Sequence, residues 1–506
     1  MKRELFLDDL NIARMERLRR VLHQPRKHSA NPLLRADRPW ENMVSVYGTT
    51  LYDHRAGRFR MWYLAGCPAD GEFTDEATGN RYPYPQTTKV AYAESADGIT
   101  WDKPNLGQVE WRGSRDNNML ALGRQNAEGV SVLVDEHDPD PARRYKALFW
   151  DHAADGAYYH QDLKRILWRE TQESDGAYLA WSADGIQWTH APHNPVIRAY
   201  MDTNQNLLWD ERIARYVAFS RFGFGRKIAR SESEDFVHWT APQLVLDCDE
   251  ADGEGTQFYG AGVDLYEGLY VAMLWAYREG GDGRIDTQLG VSRDGVHWER
   301  VADRAVFIPL GESGSWEDGM ARGAERIIRV PPAGGSARIN GVPSSAGGAQ
   351  RIGGVASAAT GSARPGETGD ELWIYYAGVN GPHSGPKFPA ESIVRKHKPA
   401  IGLATLRRDG FVSLDAGADG GWLLTRASAL PAGALHLNVN AAGGSCVVAL
   451  CDEDGRGIAG FEQSRPIAGD HLDVEVDWPQ GRALPVGHAA LRISLTNASL
   501  YSYWLG

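Results

Sequence analysis

The sequence predicts an all-β chain: a five-bladed β-propeller over residues 1–400 followed by a C-terminal β-sandwich over residues 401–506. Three observations lead there. A motif, Ser-x-Asp-(Gly/Phe)-x-x-Trp, is written at residues 95–101, 182–188, 233–239 and 292–298, with a weaker copy at 406–411. A second hairpin pattern precedes each copy. After about Gly402 the pattern of strands and turns changes. A repeat kept in phase means that one supersecondary unit has been copied and arrayed.

Each motif reads physically as the end of a hairpin. Alternating stretches such as Val90-Ala91-Tyr92-Ala93 lead into it. Asp-Gly then turns the chain, because glycine accepts positive φ and the Asp carboxylate accepts turn amides. The Trp opens the returning strand and offers a large ring to the neighbouring unit. The preceding hairpins run over residues 49–53 and 58–63, 131–135 and 145–150, 206–210 and 216–219, 262–265 and 269–275, and 325–330 and 371–376. Two hairpins make a four-stranded antiparallel sheet, one propeller blade. Residues 331–370, rich in Gly, Ala and Ser, read as an insertion between two strands of blade five. Short strands at 422–425, 435–439, 446–450, 472–476, 490–495 and 500–504, spaced by Gly, Pro and Asp, read as the sandwich.

Composition narrows the partners. The 506 residues are 42% hydrophobic with 17 Trp, enough for a large β core, and carry a net charge of −12. That sign argues against nucleic acid and anionic membrane. With no apolar leader after Met1 and no apolar run of about 18 residues, the chain reads as cytoplasmic. Cys67, Cys248, Cys446 and Cys451 lack metal-ligand spacing and read as reduced thiols, and no cofactor or metal is expected.

A five-bladed propeller with a C-terminal sandwich resembles glycoside hydrolases of the family 32 type. The propeller alone resembles the wider group of families 43, 68, 117 and 130, in which turns like Ser182-Ala183-Asp184-Gly185-Ile186-Gln187-Trp188 also occur. The Trp-Met-Asn-Asp-Pro-Asn-Gly, Arg-Asp-Pro and Glu-Cys motifs of family 32 are absent from this chain. The resemblance implies a glycoside hydrolase, exo-acting on an oligosaccharide or other glycoside.

Blade geometry locates the site. The first strand of each blade lines the central channel, so the five strand entries converge on one mouth. They lie at residues 38–43, 126–129, 200–205, 254–259 and 315–320, and form an acidic funnel rimmed by aromatic rings. Glycoside hydrolysis needs one carboxylic acid to protonate the leaving oxygen and one carboxylate as base or nucleophile. Crowded carboxylates keep one of them protonated near neutral pH. The catalytic candidates are Asp202, Glu317, Asp318 and Glu41. Trp40, Trp316 and Tyr259 are candidates for stacking on sugar faces, and Glu128 and Asn204 for binding hydroxyls. His152, Arg221 and Arg278 join them from the ends of second strands. His383, after a blade-five strand, reads as a loop histidine. Two alternatives stand beside this reading. One is a phosphorylase holding phosphate with Arg221, Arg278, Arg395 and Lys396; the other is a non-catalytic carbohydrate-binding or scaffold protein.

Overall fold

The computed structural model describes residues 3–67, 72–74, 81–83, 87–123, 126–152, 157–160, 165–168, 175–199, 201, 204–222, 226–330, 371–383, 398–430, 433–453, 455–481, 484–485 and 487–506. The insertion at 331–370 and the residues Arg395 and Lys396 lie outside them, as do Asp202 and the side chain of His152.

The chain is all-β. Among the described residues, five antiparallel units follow one another. In the first, Met43–Ser45 and Thr50–Asp53 pair with Arg58–Cys67, which pairs with Thr87–Ser95. The second runs Asn126–Val134, Tyr145–His152, Gly176–Ser182 and Thr189–His190. The third runs Gln205–Asp210, Arg215–Phe222, Lys227–Ser233 and Gln243–Leu246. The fourth has Thr256–Tyr266, Leu269–Arg278 and Ile285–Ser292, with Glu299–Arg300 and Val306–Ile308 outermost. The fifth has Met320–Gly323 and Ile328–Arg329 against Glu371–Val379, then Ala400–Arg407. Its outer strand is Arg26–Lys27, from the other end of the sequence.

Apolar packing ties these units in a cycle. Trp62 and Tyr92 of the first share a buried cluster with Val132 and Phe149 of the second. Leu148 and Leu179 meet Leu207 and Phe236 of the third. Val217 and Phe219 meet Val263 and Leu274 of the fourth. Met273 and Leu289 meet Ile374 and Leu372 of the fifth. Trp373 and Tyr375 then meet Phe59 and Met61 of the first. A sheet with two apolar faces must bury both, and the cycle does so without leaving a face exposed.

A ring of polar side chains repeats the closure at the centre. Val132 N–H donates to Thr49 Oγ1 at 2.7 Å, and Leu207 N–H to Ser131 Oγ at 2.8 Å. Val263 N–H donates to Asn206 Oδ1 at 3.0 Å, and Ile327 N–H to Asp264 Oδ2 at 2.8 Å. Glu325 completes the circle by accepting the Ser131 hydroxyl at 2.5 Å and that of Thr49. Four of the units therefore satisfy an amide of the next, as buried backbone requires, and the fifth closes the circle through hydroxyls.

The repeated motif is a turn, as its composition predicts. Ser95 Oγ accepts from Gly98 N–H at 2.8 Å, while Asp97 Oδ1 accepts from Ile99 and Thr100 N–H at 2.8 and 2.7 Å. The copies at Ser182, Ser233 and Ser292 keep the same Asp-to-amide bonds. Gly98 sits at φ +70°, and a Cβ there would lie 2.6 Å from Trp373 and 2.8 Å from Tyr375 of the fifth unit. The turn is thus also a clasp on the adjoining unit.

Residues 401–506 supply most strands of a ten-stranded sheet around a separate core that includes Leu423, Val439, Val448, Ile493 and Leu500. The chain's first 22 residues lend it three strands, Glu4–Leu5, Ile12–Glu16 and Arg19–Leu22. The two strands expected at 435–439 and 446–450 are one, Leu435–Cys451, which pairs with Ala498–Leu505 in its first half and Gly487–Thr496 in its second. Gly443 and Gly444 lie where a turn was expected, but both stay within the strand. All four cysteines are free thiols, and burial pushes that of Cys67 up to about 11.

Candidate functional site

The register puts the five strand entries at one end of the array. Met43 lies opposite Gly66, Asn126 opposite His152, Gln205 opposite Ser220, Thr256 opposite Arg278 and Met320 opposite Val379. First strands therefore begin where second strands finish.

At this end, side chains from four units meet at Tyr259. It sits where a bulge between Phe258 and Ala261 breaks the ladder of Thr256–Tyr266. Such a bulge re-aims side chains. Arg221, at the end of Arg215–Phe222, lies 5.1 Å over the Tyr259 ring and donates to its carbonyl at 3.4 Å. Arg226 lies 5.6 Å over the same ring and is paired with Glu279 at 3.3 Å. Arg322, on Met320–Gly323, lies 4.6 Å over Tyr47 and 5.9 Å over Tyr259. A ring nitrogen of His383 is 3.0 Å from the Tyr259 hydroxyl. Burial alone would push the Tyr259 hydroxyl up. Arg221, Arg322, a hydrogen bond from Tyr47 and Arg226 outweigh it and hold the hydroxyl below its ordinary value. Three arginines thus lie beside the aromatic rings at this end.

The sequence-derived candidates divide by their partners. Glu41 is fully enclosed: its oxygens accept from Lys103 Nζ at 2.6 Å and the Tyr63 hydroxyl at 2.7 Å. Glu317 is buried and paired with Lys27 at 2.9 Å, with the Tyr376 hydroxyl beside it. Asp318 is part-buried and accepts from the amides of Gly381 and Gly314 at 2.7 and 2.8 Å. Burial pushes its carboxyl up, but those two amides outweigh it, so it stays below the ordinary carboxylate range. Asp202 lies outside the described residues, between Met201 and Asn204, both buried.

Among the binding candidates, Tyr259 and Arg221 meet directly. Asn204 Oδ1 accepts from Ala261 N–H at 3.0 Å, two residues from Tyr259. Trp40 donates to Asn118 at 2.9 Å, and Glu128 accepts from Thr88 at 2.9 Å. Arg278 is paired with Asp286. Trp316 packs on Tyr376 with ring centres 5.7 Å apart and covers Gly378. The side chain of His152 is not among those described.

Sequence reasoning missed Arg322, Tyr47 and Arg226. Arg322 follows Met320-Ala321 and precedes Gly323, with no motif around it. The available signal was a lone cation in an otherwise apolar first strand.

A cavity of about 460 Å³ lies at the opposite, turn end of the third and fourth units, lined by Asp210, Arg212, Arg215, Arg230 and Arg293 among others. Each of its arginines already holds a carboxylate: Asp210, Glu234, Glu232 and Asp8 respectively. Among the described residues no group of three or more His, Cys, Asp and Glu could hold a metal, and no helix is long and apolar enough to cross a membrane.

No family model and no curated protein sequence matches the chain. Solved structures resemble it at low identity. A glycosyl hydrolase from Bacteroides ovatus is 12% identical with a TM-score of 0.43, over 76% of this chain and 94% of that one. The catalytic domain of a family 62 α-L-arabinofuranosidase from Coprinopsis cinerea is 13% identical with a TM-score of 0.42, over 76% and 98%. An N-acetylgalactosamine deacetylase from F. plautii, in complex with blood group B trisaccharide, is 15% identical with a TM-score of 0.41, over 78% and 96%.

Proposed function

We propose that the five units are the blades of a five-bladed β-propeller, with the C-terminal sheet folded over as a β-sandwich, and that the chain is a glycoside hydrolase working at the channel mouth. The cyclic packing and the closed polar ring support the first part. The observation that carries the second is the meeting of Arg221, Arg322, His383 and Tyr47 at Tyr259, where the strand entries converge. Rings and hydrogen-bonding groups from several blades give a sugar both stacking faces and donors.

The chemistry is assigned to Asp202 and Asp318. Glu41 and Glu317 are committed to lysines, Lys103 and Lys27, and serve as wall. Asp318, held ionised by two amides, suits the base or nucleophile; Asp202, at the third entry, is the general acid. The separation of the two carboxyl groups then sets the outcome: about 5 Å for retention, about 6.5–9.5 Å for inversion. The test is hydrolysis of an aryl-glycoside and oligosaccharide panel by the unaltered protein and by Asp202→Asn and Asp318→Asn. Both substitutions should abolish turnover while sparing the fold; full activity in either variant removes that residue from the mechanism.

A phosphorylase is the second reading, favoured by the three arginines around Tyr259. Turnover that requires inorganic phosphate and releases a sugar phosphate would select it. The non-catalytic alternative gains if no glycoside on the panel is cleaved.

A further inference from the structure

Arg322 differs from other buried cations of the molecule. It is 4% exposed. Arg60 and Arg144 hold Asp53, and Lys146 holds Asp135 and Asp138. Among the described residues Arg322 donates only to neutral oxygens, the hydroxyls of Tyr47 and, at 3.3 Å, Ser45. Its Nε has no hydrogen-bond partner, and among the described residues no carboxylate pairs with it. Three aromatic rings surround it, those of Tyr47, Tyr259 and Trp275, at 4.6, 5.9 and 5.6 Å.

A buried charge without a counter-charge is costly, and arginine does not escape the cost by releasing its proton. Cation–π contacts return part of it. They leave the Nε–H donor unanswered and the charge unbalanced, and a guanidinium edge matches a planar oxyanion.

We propose that Arg322 is the counter-charge for an oxyanion that enters the mouth, either as the acidic group of a glycoside or as free phosphate. This rests on the glycosidase reading for the location of the sugar, but the binding claim stands apart from catalysis. The Tyr259 ring, with Arg221 of the third blade beside it, gives the sugar a face to lie on. The depressed Tyr259 hydroxyl reports the field of these arginines. The oxyanion has two possible sources, a carboxylate on the sugar ring or free phosphate, and the test separates them.

Calorimetric titration of the full chain with glucuronate, glucuronamide and inorganic phosphate decides the question. Glucuronate and its amide differ little in shape but by one charge. Glucuronate should bind at least about tenfold more tightly, the scale of one charge-assisted pair. Arg322→Gln should erase the difference, and Arg322→Lys should keep part of it. Phosphate binding lost in Arg322→Gln, without a glucuronate preference, supports the oxyanion site with the free ion as its source. The unaltered protein alone carries the glucuronate comparison should Arg322→Gln fail to fold. Equal affinity for acid and amide with no phosphate binding overturns the proposal. So does anion binding that survives Arg322→Gln. So does a phenolate absorbance at neutral pH that Tyr259→Phe removes, because the charge would then be balanced within the protein. Anion binding without glycoside turnover would leave this inference standing and sink the hydrolase reading; turnover without anion preference would do the reverse.

Discussion

The polar ring that links the five units and the strand-entry end around Tyr259 treat polar groups oppositely. In the ring, Thr49, Ser131, Asn206 and Asp264 each accept an amide of the next strand, and Glu325 accepts two hydroxyls. At the mouth, Arg322 keeps a buried guanidinium among neutral oxygens and rings. Satisfied polar groups specify a structure; an unsatisfied charge in a rigid frame is an invitation to a ligand. Only three residues separate the two behaviours, Arg322 within Met320–Gly323 and Glu325 just past it.

Substitutions on either side of this division test it. The largest effect is expected at Asp202. Asp202→Asn should lower kcat roughly 10²–10⁴-fold, the usual span for a general acid, with an unchanged melting curve. Next comes Glu41, at the first strand entry, which we propose is part of the scaffold. Glu41→Ala strands the enclosed Lys103 and should cost about 3 kcal/mol in urea unfolding. Asp37, 2.7 Å from Lys103, limits the loss. A large drop in kcat with stability intact would move Glu41 into the chemistry.

Glu325 makes the scaffold measurable by pH. Burial pushes its carboxyl up to about 7 against an ordinary 4.5. The folded state therefore holds a proton that the unfolded chain releases between those values. Stability from this group is present below about pH 4.5 and is lost as pH rises to about 7, by at most about 3 kcal/mol. Urea midpoints across that window should show the slope, and Glu325→Gln should flatten it. An identical slope in both proteins would contradict the assignment. The smallest effects belong to turn glycines. Gly98→Ala, strained at positive φ and pressed on Trp373, should cost about 1–3 kcal/mol. Gly57→Ala, at φ +64° with open space around it, should cost about 1 kcal/mol.

The legibility of the molecule in its sequence follows the same line. The turn at Ser95-Ala96-Asp97-Gly98 was readable because all of its hydrogen bonds fall within a few residues. The strand pairs around each motif followed from it. Partners set by closure were not readable. Arg26–Lys27 pairs with Ala400–Arg407, and Glu317 takes its lysine from position 27. Glu41 was recognisable as a carboxylate at an entry, but nothing near it announced Lys103. The polar ring left a trace, a Thr, Ser, Asn, Asp or Glu at matching places of five strands, which local periodicity alone does not flag. Arg322 left none beyond its own charge, because what makes it unusual is the absence of an acid around it in space.

The most direct measurement is a crystal structure of the full chain with glucuronate. The account predicts the sugar at the mouth, its carboxylate on the Arg322 guanidinium and its ring against Tyr259. A sugar bound on the C-terminal sheet, or in the cavity beside Arg212 and Arg293 with the mouth empty, would contradict it.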